Sequence, residues 1–283
     1  MPIGSCVTIS LVPQARGGPF VYWDDLEGSC HKAAELGFDA VEIFPPSAEA
    51  LDAARLRRLL DETGLALAAI GTGAGWVVRR LTLTHADPAV RGQAQEFVGS
   101  LIDLAGSFGA SAIIGSMQGR WGDGVDRGEA MTLLADALAT LGEHASRLSA
   151  PLLYEPLNRY ETNLVNTVAD GVKLIATLPT GNVRLLADLF HMNIEEADLP
   201  AAILEGRGHI GHVHFVDSNR RPAGLGHLDY VPIVRALEEI GYEGYASAEA
   251  LPFPDPDAAA RQALDAFRLH FRHAGPGSEA IAS

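Results

Sequence analysis

The sequence predicts a single (β/α)8 domain, a TIM barrel, over residues 1–283. Three observations carry this. Short apolar runs alternate with longer helical patterns along the chain. The phrases AAELGFDAVEI, AGSFGASAI and LEEIGYEGYASAE share one grammar: helix, glycine, short turn, strand. Finally, 283 residues is a suitable length for eight strand–helix units, which typically need about 250.

Taken in order, strands are expected near 3–9, 40–44, 65–71, 111–116, 151–156, 183–188, 210–216 and 244–249. Several are continuous apolar runs, as befits parallel strands covered on both faces. The first helix, 23–36, stops at Gly37, and the second, 52–63, at Gly64. Glycine ends helices because it enters the left-handed region without a Cβ clash. Helices follow at 88–108, 127–148, 167–177, 197–205, 230–240 and 256–272. The proline clusters FPPS (44–47) and PFPDPD (252–257) fall between elements. They read as βα loops, which build the catalytic face of a barrel. The tail, about 274–283, reads as flexible. An open doubly wound sheet is the alternative, but no G-x-G-x-x-G follows the first strand and no G-x-x-x-x-G-K-S/T occurs. The glycine-rich GTGAGW at 71–76 lacks the phosphate-loop spacing.

Composition narrows the function. A hydrophobic content of 47% supports a full core. The net charge of −15 argues against nucleic acid and anionic membranes as partners. No apolar run approaches the ~20 residues that span a bilayer. The first residues carry no basic leader pattern. Two cysteines, Cys6 and Cys30, are too few for a disulfide framework. A reducing, cytoplasmic setting is expected.

The chemistry concentrates in the C-terminal half. Glu155 ends LLYE, Asp188 ends VRLLAD, His214 sits in IGHVHF and Glu249 ends GYASAE. Each stands at the end of one of the last four predicted strands, about thirty residues from the next. Singly, each has a plain explanation: Asp188 as a helix cap, Glu249 paired with Arg220 or Arg235, His214 as a core histidine. As a set they read as one divalent metal site, because burying a carboxylate is costly unless it is paired or metal-bound. Oxygen ligands with one imidazole suit Mn²⁺, Mg²⁺, Co²⁺ or Zn²⁺. Thiolate zinc is excluded by the cysteine spacing, and no EF-hand loop is present for calcium. Asn158, Arg159, Glu161, His191, His212, Asn219 and Arg220 lie nearby in sequence and are candidates for the surrounding shell. His227 is expected to stay away from the site.

The segments EPLNRYETN (155–163), DLFHMNIEE (188–196), HVHFVDSNR (212–220) and SAE (247–249) together resemble the xylose-isomerase-like TIM-barrel superfamily of sugar isomerases and epimerases. Within it the likeness is to the ketose 3-epimerases acting on D-tagatose and D-psicose (allulose). The resemblance implies metal ligation by Glu155, Asp188, His214 and Glu249. It implies that Glu155 and Glu249 are also the acid/base pair, and that Glu161, His191 and Arg220 contact substrate. It further implies Mn²⁺ as the usual ion, with Co²⁺ or Mg²⁺ tolerated, and a homodimer or homotetramer. The N-terminal half departs from the pattern. There the chain offers Gln14, Arg16, Trp76 and the pair Arg120–Trp121. Arginines at the mouth would suit an acidic or phosphorylated sugar; the alternative is a salt bridge to acids such as Asp123.

The expected reaction is inversion of C3 in a ketose or keto sugar acid. One glutamate removes the proton beside the carbonyl and the other returns one to the opposite face, through a metal-stabilised ene-diolate. An aldose–ketose or hydroxypyruvate-type isomerase uses the same apparatus in another register. A dehydratase, a metal-dependent endonuclease and a non-enzymatic metal-stabilised barrel are the remaining alternatives.

Overall fold

The computed structural model describes residues 3–122 and 124–272. Strand β1 (Gly4–Ser10) is followed by a two-residue strand, β2 (Tyr22–Trp23), that pairs with its C-terminal end. Then come β3 (Ala40–Phe44), β4 (Ala66–Gly71), β5 (Ser111–Ile114), β6 (Leu152–Tyr154), β7 (Val183–Asp188), β8 (Ile210–His214) and β9 (Tyr245–Ala248). All neighbours from β3 to β9 pair in sequence order, and β1 pairs with both β3 and β9. Eight parallel strands thus close into a (β/α)8 barrel, with β2 as an addition at one rim. Among the described residues, no helix is long and apolar enough to cross a membrane.

The helices are α1 (Leu26–Leu36), α2 (Ala53–Thr63), α3 (Ala74–Arg79), α4 (Pro88–Gly106) and α5 (Arg127–Ser146). They continue as α6 (Val168–Ala176), α7 (Leu189–Glu195), α8 (Leu199–Glu205), α9 (Tyr230–Glu239) and α10 (Pro256–Phe267). Their starts are written in the sequence. Asp25, Asp52, Asp87, Asp126, Asp188, Asp198, Asp229 and Asp255 each accept a hydrogen bond from a first-turn N–H of the following helix. Thr167 does the same for α6. Each such cap stabilises its helix by about 1 kcal/mol. Gly37 (φ 92°) and Gly64 (φ 70°) end α1 and α2 as expected.

Three elements differ from the sequence reading: β2, α3 and α7. The glycine-rich stretch after β4 forms α3, not a loop. Gly75 permits it, because a Cβ there would lie 2.5 Å from Met117 Sδ. Helix α7 starts directly at the strand-end Asp188, leaving no linker for a pattern to reveal. The expected tail at 274–283 and Asp123 lie outside the described residues.

Strand alternation points every second side chain inward. It puts Leu153 with Glu155, Leu186 with Asp188, His212 with His214, and Ser247 with Glu249. Register then sets their height, since Asp188 pairs with His214 and His214 with Ser247. Below the rim, Ala69, Ile113, Leu153 and Leu186 form an apolar cluster, and Cys6, Ala40 and Ala68 form another. The barrel strands also bury Glu42, His212 and Ser247.

Candidate metal centre and substrate cavity

Glu155, Asp188, His214 and Glu249 meet at the C-terminal rim. One potential ligand atom from each lies within 4.8 Å of the other three. His214 Nδ1 is the hub, 2.9 Å from Asp188 Oδ2, 3.3 Å from Glu249 Oε2 and 3.5 Å from Glu155 Oε1. Gly115 at the end of β5 leaves the room Glu155 needs, since a Cβ there would stand 2.5 Å from Glu155 Oε2. Asp188 has two duties. Its Oδ1 caps α7, accepting from Phe190 N at 2.8 Å and His191 N at 3.2 Å, while Oδ2 faces the centre.

The electrostatics mark a cluster built for positive charge. Burial alone would raise the Asp188 carboxyl. The charge of Arg220 and the His214 hydrogen bond outweigh it and hold the group well below the carboxylate range. Burial would lower His214, but the Glu42 charge and the hydrogen bonds to Asp188 and Glu42 push it well above the usual imidazole value. The fit to a divalent cation follows from one atom. Glu155 Oε1 is buried without a hydrogen-bond partner among the described residues, facing the other three ligands. An orphaned carboxylate oxygen costs free energy that a cation would recover. The residues therefore suit a divalent metal with oxygen-rich coordination.

A second ring of residues surrounds them. Asn158 donates through Nδ2 to His191 Nδ1 (2.7 Å) and Glu161 Oε1 (3.0 Å), while its Oδ1 accepts from Tyr160 N (3.0 Å). This fixes the amide orientation, so His191 Nδ1 accepts and Nε2 carries the proton. That Nε2 is 3.8 Å from Glu155 Oε1 and 4.0 Å from Asp188 Oδ2. Arg220, 9% exposed, donates through Nη1 to Asp188 Oδ2 at 2.5 Å and pairs through Nη2 with Glu249 Oε2. Its guanidinium also lies over the Phe190 ring, 5.0 Å from the centroid. It holds this place with a left-handed φ of 61°.

Above the centre opens a cavity of about 480 Å³. Its polar floor comprises Glu42, Glu155, Glu161, His191, His214, Arg220 and Glu249. The N-terminal half contributes apolar lining: Pro19, Phe20, Phe44 at the end of β3, and Trp76 and Val77 on α3. Gln14 and Arg16 also line it.

Several sequence expectations change here. Arg120 and Trp121 do not line the cavity. Trp121 donates through its backbone N and its Nε1 to Asn163, tying the loop after β5 to the loop after β6. Arg120 is exposed beside it. Arg16 reaches the cavity but pairs with Asp24 and stacks over Trp23. Arg159 binds Glu195 through Nε at 2.9 Å and Nη2 at 2.9 Å, away from the centre. Asn219 is used within its own turn. His227, expected to stay away from the site, contacts Ser218 and does not line the cavity. Glu42 is the residue sequence reasoning missed. A lone acid inside the apolar strand AVEIF was the available signal. It is 4% exposed and accepts from His212 Nε2 at 2.9 Å and His214 Nε2 at 3.3 Å. Burial would raise its carboxyl, but the His214 charge and the bonds from both imidazoles hold it well below the usual range.

Residues 30–270 match the model of the xylose isomerase-like TIM barrel family. The chain is similar to an L-ribulose 3-epimerase of Mesorhizobium japonicum, with 32% identity over 230 residues, 80% of this chain and 75% of that protein. It is also similar to a D-psicose 3-epimerase of Agrobacterium fabrum, with 30% identity over 237 residues, 81% of this chain and 78% of that one. A solved structure of an L-ribulose 3-epimerase superposes with a TM-score of 0.77 at 26% identity, covering 95% of each chain.

Proposed function

The chain belongs to the xylose isomerase-like TIM barrel family and is an enzyme of the sugar epimerase/isomerase class, and we propose that it inverts C3 of a neutral ketose with the help of a divalent cation. The observation that carries this reading is the pair Glu155 and Glu249. They reach the same centre from β6 and from the end of β9, with Asp188 and His214 between them in chain order. Relatives named as 3-epimerases of L-ribulose and D-psicose support the choice of C3.

Glu155, Asp188, His214 and Glu249 would hold the ion, with Mn²⁺ the best match and Co²⁺, Mg²⁺ or Zn²⁺ also suited to the donor set. Bound there, a divalent cation supplies Lewis-acid stabilisation for negative charge developing on the sugar's C2 and C3 oxygens. The residues do the rest. One of Glu155 and Glu249 takes the C3 proton and the other delivers one to the opposite face. Their exchange of roles lets the reaction run in both directions. His191 donates from Nε2 to the carbonyl end, and Arg220 holds the same end while setting the Glu249 carboxylate. Glu161, held by Asn158, accepts from a hydroxyl.

The charge balance favours a neutral sugar over a sugar acid or phosphate. Arg16 and Arg220 are both engaged by carboxylates. Glu42, Glu155, Glu161 and Glu249 face the cavity, so an anionic substrate would meet surplus negative charge. An isomerase would use the same glutamates with the substrate shifted by one carbon. The test is incubation of Mn²⁺-loaded and EDTA-stripped protein with L-ribulose, D-psicose and D-fructose, followed by product analysis. A C3 epimer formed only with metal supports the proposal. An aldose product, or equal turnover without metal, overturns it.

A further inference from the structure

We propose that Glu42 is a positioning residue that sets which nitrogen of His214 faces the metal centre. The inference rests on the metal reading above. His214 Nδ1 faces three carboxylates, and the opposite nitrogen, Nε2, faces Glu42 Oε1 at 3.3 Å. A neutral imidazole has one N–H and one lone pair. An ionised carboxylate only accepts, so Glu42 draws the ring proton to Nε2 and leaves the Nδ1 lone pair for a cation. Metal-bound histidines characteristically use their second nitrogen in this way.

Glu42 is itself held from its other oxygen. His212 Nε2 lies 2.9 Å from Glu42 Oε2. The two imidazoles are edge to face, 5.6 Å apart at 85°, so one carboxylate bridges both. All three side chains are buried. The β3–β4 register shifts between Val41 and Glu42, a local irregularity at the position where the acid turns inward. A charged residue is otherwise an expensive choice for the interior of an apolar strand. The same three residues offer ligand atoms within 4.8 Å of one another, so the test must separate bracing from direct ligation.

The test uses full-length protein, wild type and Glu42→Gln, with Mn²⁺ affinity and stoichiometry measured by titration calorimetry. Nitrogen-15 NMR of the His214 ring is recorded on the Mg²⁺-loaded protein. Glutamine keeps the size but loses the charge and presents an N–H₂ group to one imidazole. The expected results are one Mn²⁺ per wild-type chain, a His214 proton on Nε2, and Mn²⁺ binding about 10–100-fold weaker in Glu42→Gln. Equal Mn²⁺ affinity in the two proteins would overturn the positioning role while leaving the function reading intact. So would two ions per wild-type chain falling to one in the variant, which would make Glu42 a ligand. Absence of any ion in the wild type would overturn both. If Glu42→Gln does not fold, the wild-type ring decides: a proton on Nδ1 refutes the inference, and one on Nε2 supports it.

Discussion

Arg220 offers the most quantitative perturbation. Its guanidinium is buried and bridges Asp188 and Glu249, two of the four candidate ligands. Replacing it with alanine leaves both carboxylates without their cationic partner, and breaking a buried ion pair from one side costs about 3–5 kcal/mol. For a chain of this size that corresponds to roughly 6–10 °C in melting temperature, at ~2 °C per kcal/mol. The backbone adds a second term. Arg220 sits at φ 61°, so alanine inherits the left-handed strain and glycine does not. Glycine loses more chain entropy on folding, so Arg220→Gly should exceed Arg220→Ala in stability by about 1 kcal/mol at most. The assay is thermal unfolding of the three proteins in EDTA and again in saturating Mn²⁺. On the proposed reading a cation would engage the same two carboxylates as the guanidinium, so Mn²⁺ should narrow the gap between wild type and Arg220→Ala. A gap in EDTA below about 2 °C, less than 1 kcal/mol for this size, would refute the reasoning. So would a gap that Mn²⁺ leaves unchanged.

Other expectations follow from the same geometry. Glu155→Gln and Glu249→Gln should each slow exchange of the C3 hydrogen by about 10²–10⁴-fold, the usual worth of a positioned acid or base; solvent-exchange NMR measures it. Arg120→Ala should leave kcat/KM for neutral ketoses unchanged, because the side chain does not line the cavity; a large loss would return it to the substrate site. Tyr154 donates to Gln118 Oε1 at 2.7 Å, and Gln118 Nε2 in turn donates to the Glu155 carbonyl at 3.0 Å. Tyr154→Phe leaves a buried acceptor unsatisfied and should cost about 1–3 kcal/mol, read by denaturant unfolding.

Much of this arrangement was legible in the sequence because parallel barrels repeat. Apolar runs and glycine stops place each barrel strand within about two residues, and strand ends then identify Glu155, Asp188, His214 and Glu249 as neighbours. What pattern could not supply was loop geometry. Arg120 and Trp121 lie in the loop after β5, on the same rim as Glu155 after β6, yet the Asn163 contacts carry Trp121 outward. Arg16 reads as a free cation until Asp24 folds back beside it. Helix α7 was hidden because Asp188 serves as strand end, cap and ligand candidate at once, and a seven-residue helix carries too few turns to show a period. Glu42 escaped for a different reason: its partners, His212 and His214, lie 170 and 172 residues away. The plain alternatives considered for single residues also turned out to coexist with the site. Asp188 does cap a helix and Glu249 does pair with Arg220, in the same geometry that groups them with His214.

The central claim is proton transfer at C3 by two glutamates on one metal centre. Its most direct test is incubation of the Mn²⁺-loaded enzyme with L-ribulose and D-psicose in D₂O, followed by NMR of substrate and product. The account predicts deuterium at C3 of the inverted sugar and none at C1, with EDTA abolishing incorporation. Deuterium at C1 or C2, or C3 inversion without any solvent deuterium in product or recovered substrate over many turnovers, would contradict it.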